Sequence, residues 1–118
     1  MRHENWCMGK TMGESPNLFF DRQGRVICHC QYLALRQDEE YMIVKKSKLE
    51  GLTVSTVWLG LDVSLDQNPK EIFETMVFSG GWDGYQERYS TERQAIKGHD
   101  EIVQLIMDRK SLLERAKE

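Results

Sequence analysis

The sequence predicts an α+β fold: an antiparallel sheet of about four strands in a meander, packed against one long C-terminal helix, with a short helix near the N-terminal third. Three observations carry this expectation. LTVSTVWL alternates in the period-two manner of a half-buried strand. Successive extended stretches are joined by short links, which favours antiparallel neighbours. After Ser90 the apolar residues recur at helical spacing instead.

The 118 residues suit a single domain spanning 1–118. Residues 1–17 are polar and small, with Gly9, Gly13 and Pro16, and are expected to be weakly ordered. LFFDRQGRVI suggests two short extended pieces about a DRQG turn, where Gly24 supplies a permissive backbone. Cys30 to Tyr41 has helix-favouring residues for two or three turns. YMIVKKSK and LTVSTVWL flank LEG, and Gly51 suits a tight hairpin. Leu52, Val54, Thr56 and Trp58 share one face of the second strand. Gly60 to Lys70 reads as a loop, with Asp62, Asp66, Asn68 and Pro69 as breakers. EIFETMVFS then returns as a strand, and YQERY pairs with it across SGGWDG.

The last element is a helix over 91–116. Thr91 caps it and Gln94 completes a capping box, while Glu92 suits the positive end of the dipole. Ala95, Ile96, His99, Ile102, Val103 and Ile106 form its apolar stripe, with Leu113 farther on. Gly98 costs about 1 kcal/mol in such a helix relative to Ala, unless close packing against the sheet requires it.

Composition excludes several function classes. Nineteen acids against 16 bases, well mixed, give a formal charge of -3, without the basic stripe of a general nucleic-acid binder. No apolar run approaches the roughly 20 residues that span a bilayer, and MRHENWCMGK lacks the apolar core of a signal peptide. A cytoplasmic location is therefore expected. Three cysteines without a secretion signal read as reduced thiols.

Catalytic and metal chemistry find little purchase. Cys28, His29 and Cys30 with His3 and Cys7 offer zinc-type ligands, but a C-x-C unit in a strand sends both thiols to one face and the usual ligand spacing is missing. There is no G-x-S-x-G elbow, and C-M-G-K-T is not a phosphate-binding loop. His99, on the apolar face of the last helix, reads as a packed histidine bonded to a neighbour. Asp62 reads as a strand closure, and Glu74 as the partner of a base across the sheet. No catalytic residue, metal site or cofactor is expected, and the chain reads as a non-enzyme.

Ligand binding has more to work with. Trp58, Trp82, Tyr85 and Tyr89 concentrate aromatic surface in one strand-loop-strand region, followed by Arg88, Arg93 and Lys97. Aromatic faces stack on a base, while guanidinium groups and helix-start amides hold phosphate. Equally, Tyr85 and Tyr89 can be core, and Arg88 half of an ion pair.

TVSTVWLGLD at 53–62, IFETMVFSGGWDG at 72–84 and ERYSTERQAIKGH at 87–99 resemble a widespread group of small, mostly uncharacterised proteins encoded by bacteriophages and prophages. The likeness covers roughly residues 51–105, and the first third matches poorly. Members often follow LGLD with His where this chain has Val63, which argues against a shared site built from Asp62, residue 63 and His99. The resemblance implies a phage setting and the host cytoplasm. Small accessory phage proteins often act against host immunity, so the expected function is non-enzymatic anti-defence, by sequestering a nucleotide-derived immune signal. An anti-CRISPR-type inhibitor binding a host defence protein, with Trp82 as a contact, is the alternative, and a minor structural or regulatory phage protein is a third. A homodimer is also expected, because one helix on one sheet leaves a face to bury.

Overall fold

The computed structural model describes residues 18–63, 69–78 and 84–117, with side chains through Arg109. The expectations for residues 1–17, for the tip of SGGWDG and for residues 64–68 of the breaker loop lie outside the described residues. Elements follow in the order β1 (Phe19–Phe20), β2 (Val26–Ile27), α1 (His29–Arg36), α2 (Glu39–Met42), β3 (Ile43–Leu49), β4 (Leu52–Trp58), β5 (Phe73–Phe78), β6 (Gln86–Tyr89) and α3 (Glu92–Lys117). Strands β3-β4-β5-β6 form a four-stranded antiparallel sheet in sequence order, packed against the long C-terminal helix. The α+β meander expected from the sequence is the observed architecture.

The DRQG stretch makes the β1–β2 turn. Asp21 is buried there, its carboxylate accepting from the Gln23 and Arg25 amides and from Arg25 Nε. A buried carboxylate is tolerated because these donors replace its water. Helix formation from 30 to 41 is divided in two. Cys28 caps α1, its Sγ accepting from the Gln31 amide while Gln31 Oε1 accepts from Cys28 N. Asp38 then caps the single turn of α2. The C-x-C unit is thus a helix start, not part of a strand, and Tyr41 and Met42 belong to α2 rather than to the following strand.

Glu50 and Gly51 close the β3–β4 hairpin between paired Leu49 and Leu52, and Gly51 has φ +82°, a conformation costly for other residues. Near the start of β3 the register shifts between Ile43 and Lys45. The interposed Val44 packs on the core, and beyond it Ser47 bonds to a residue of α3 while Leu49 joins the core. In β4 the expected face is the buried one: Leu52, Val54, Thr56 and Trp58 are all buried.

Two apolar clusters fill the space between the layers. Trp58, Phe73, Ile72, Phe20 and Ala95 form one, roofed by Tyr32, Leu35, Tyr41 and Met42 from the N-terminal elements. Trp58 is fully buried, donates from Nε1 to the Phe20 carbonyl at 2.9 Å and meets the Tyr41 ring edge-on. The other cluster is Leu52, Val54, Val77, Ile102 and Ile106. Each fully buried Ile or Val of this kind contributes about 1.5–3 kcal/mol.

Helix α3 starts with the expected box, Gln94 N donating to Thr91 Oγ1 and Thr91 N to Gln94 Oε1. Ala95, His99, Ile102 and Ile106 are buried, steps of four, three and four that trace one helical stripe. Gly98 lies beside this stripe, where a Cβ would collide with the Tyr89 ring and hydroxyl. Its missing side chain lets α3 approach β6. In an isolated helix Gly98→Ala is stabilising by about 1 kcal/mol. Here it is expected to destabilise the protein by about 1–2 kcal/mol through overpacking, with Tyr89→Ala removing most of that penalty from the double variant, as measured by urea unfolding.

Candidate functional site

Three polar constellations emerge from this fold. The first lies inside it. His99 is fully buried between α3 and the sheet, with Nδ1 2.8 Å from Thr56 Oγ1 and Nε2 2.7 Å from Ser47 Oγ. Thr56 Oγ1 also bonds to Thr75 Oγ1, its cross-strand partner on β5. A neutral imidazole donates through one nitrogen and accepts through the other, so three hydroxyls that can each do both complete the chain. Burial lowers the His99 pKa from its ordinary value near 6.5, the charge of Lys45 lowers it further, and Asp100 opposes them. With no solvent access, this group is a structural seam and no catalytic base.

The second is a shallow cleft of about 420 Å3 at the start of α3, lined by Arg22, Gln23, Gly24, Lys70, Ser90, Thr91 and Glu92. Arg22 is committed there. Its Nε and Nη2 make a two-pronged contact with the Glu92 carboxylate at 2.8 and 2.6 Å, and Nη1 donates to the Tyr41 carbonyl at 3.2 Å. The hydrogen bonds to Glu92 raise the Arg22 pKa, against the effect of burial. Lys70 Nζ lies 5.0 Å from the centre of the Phe20 ring.

The third is the other face of the sheet. Cross-strand partners point the same way, so the register sets out its rows: Lys46, Ser55, Met76 and Gln86; Lys48, Thr53 and Phe78; and Val57, Glu74 and Arg88. Arg88 Nε reaches Glu74 Oε2 at 3.1 Å, and Gln86 Nε2 donates to the same oxygen. Phe78 is 48% exposed. No described helix or loop packs on this face, because α1, α2 and α3 all serve the Trp58 and Val54 side.

This arrangement disperses the residues that the sequence offered as one ligand site. Trp58 is a correction: its indole is enclosed in the core and cannot stack on a ligand. Tyr89 points inward against Gly98, its hydroxyl buried without a hydrogen-bond partner among the described residues, and Tyr85 packs on the Ile102 cluster. Burial raises both tyrosine pKa values. Arg88 is on the outer sheet face, while Arg93 and Lys97 are exposed on α3, in the opposite layer. Trp82 lies outside the described residues. Asp62 accepts from the Glu71 amide just after the Phe19–Leu61 bridge, and Glu74 has the expected basic partner across the sheet.

Lys46, Lys48, Met76 and Phe78 are not among the site residues expected from the sequence. Their signal was present as the complement of the core pattern, since every second residue of a strand shares a face. Among the described residues no group of three or more His, Cys, Asp and Glu side chains could hold a metal ion. No helix among them is long and apolar enough to cross a membrane. No family model matches the chain, nor does any curated protein or solved structure.

The seam makes a pH-dependent contribution of defined sign. A base whose pKa falls on folding binds its proton more readily when unfolded, so its stability contribution is whole above about pH 6.5 and is lost as pH falls below that value. His99→Gln is expected to lower stability at about pH 7 by about 1–3 kcal/mol and to flatten its decline toward about pH 5. Urea unfolding of both proteins across that range tests this.

Proposed function

We propose that this is a non-enzymatic phage anti-defence protein of the host cytoplasm that works by binding a host defence protein through the uncovered sheet face. One observation carries the choice of binding mode. Helix α3 and the N-terminal elements occupy one side of the sheet, while the other carries Met76 and Phe78 among lysines, arginine and hydroxyls without cover from any described element. Apolar anchors within a polar surround are the usual anatomy of a protein contact. The phage setting rests on the three sequence blocks that resemble phage and prophage proteins.

Sequestration of a nucleotide-derived signal is the second reading, favoured by the cleft at the start of α3. Lys70, the Ser90 and Thr91 hydroxyls and the helix-start amides have the chemistry to hold a phosphate. Against it, Arg22 is already engaged by Glu92, and the aromatic residues expected to stack on a base are elsewhere.

Recovery of the tagged protein from phage-infected cells, followed by native mass spectrometry, separates the readings. A co-purifying host protein is expected, lost from Met76→Ser/Phe78→Ser and retained by Lys70→Ala. Small molecule released on heating, lost instead from Lys70→Ala, would replace the contact reading with sequestration. Neither kind of ligand would leave a minor structural or regulatory phage role.

A further inference from the structure

We infer that the occupant of the uncovered sheet face is an acidic segment of a protein partner, bearing apolar side chains between its carboxylates. This rests on the contact reading above and adds the chemistry of the partner. The chain as a whole is acidic, with a formal charge of -3. Its outer sheet face is not. Lys46, Lys48 and Arg88 stand there against Glu74, the one carboxylate in the described rows, which Arg88 already engages. Neither Lys46 nor Lys48 forms an ion pair with a described residue, and both are exposed. Their neighbour Lys45 is used differently: it bonds to Asp100 on α3 at 2.6 Å. Alternation along β3 therefore sends one lysine to the helix layer and leaves two on the open face.

Charge and size together select the occupant. Lys46 and Lys48 occupy the β3 edge, and their rows run across β4 to Met76 and Phe78 on β5. A partner bringing carboxylates over β3 would set apolar side chains over β5 in the same pose. Such rim charges set the approach and orientation of a partner, while the apolar centre holds it. Four strands at about 4.8 Å spacing and about six residues at about 3.4 Å each give a face of roughly 20 by 20 Å. That is about half of the ~800 Å2 per partner of a standard interface, which suits a segment better than a broad domain surface. A second copy fits poorly. Face to face, β3 of one copy meets either β3 or β6 of the other, and Lys46 and Lys48 then confront lysines or Arg88 and Gln86. Single-stranded nucleic acid is a poorer match too, since Phe78 is the one aromatic ring among these described rows.

The test is panning of a random dodecapeptide library on the intact protein, on Lys46→Glu/Lys48→Glu, and on Arg93→Glu/Lys97→Glu. The last pair makes the same charge change on the exposed side of α3. The wild type and the α3 control are expected to retain peptides rich in Asp and Glu with Leu, Ile or Phe between them. The β3 variant should bind those peptides at least about tenfold more weakly, and Phe78→Ser should weaken them comparably. Circular dichroism confirms that each variant is folded. A retained pool without acidic enrichment, or acidic peptides that bind the β3 variant unchanged, overturns the inference. So does tighter binding of a twelve-residue oligothymidylate to this face, or a dimer in sedimentation that Phe78→Ser dissolves. Panning reads the chemistry of the face alone, whereas co-purification reads the host partner. A host protein captured equally by wild type and the β3 variant would therefore sink the acidic-segment inference and leave the proposed function standing.

Discussion

The chain of hydrogen bonds from Ser47 through His99 and Thr56 to Thr75 is the interaction around which the two layers are organised. An apolar stripe can slide or rotate on an apolar sheet at modest cost, since hydrophobic contact has no direction. A buried imidazole cannot, because each misplaced nitrogen would be left without a partner in a dry interior. His99 thus pins α3 at one axial position and one rotation, with apolar clusters on either side of it. At the adjacent position, the absent side chain of Gly98 admits Tyr89, so the approach of α3 to β6 is set by the same seating.

That seating decides what is left outside. With α3 over the centre of the sheet, the remaining core surface around Trp58 is closed by the β1–β2 hairpin, α1 and α2. Arg22 ties these pieces together by holding Glu92 at the start of α3 and the Tyr41 carbonyl at the end of α2. All the described covering elements are spent on one side. The opposite face, with its lysines, Met76 and Phe78, is covered by no described element, and α3 presents Arg93 and Lys97 to solvent in the other direction.

Much of this was legible in the order of residues. The α3 capping box, the Gly51 hairpin, the buried face of β4 and the role of Glu74 all depend on neighbours a few residues away or directly across a hairpin. Local spacing suffices for such features. The aromatic and arginine cluster was different. Tyr85, Arg88, Tyr89, Arg93 and Lys97 are near in sequence, with Trp58 two strands earlier, yet the sheet and helix send them to the inner layer, the outer face and solvent, and Trp58 to the core. Proximity along the chain says little about proximity in space once alternate strand residues face opposite ways.

By itself the sequence determined the element order, the antiparallel meander and the helix stripe, because periodicity and turn chemistry are local properties of the chain. Only the tertiary structure decided which stretch covers Trp58, why Gly98 must be glycine, and which face of the sheet the described elements leave uncovered. Those outcomes depend on how many covering elements exist and where each can reach. Segments far apart in sequence compete for the same buried surface, and only packing settles that competition.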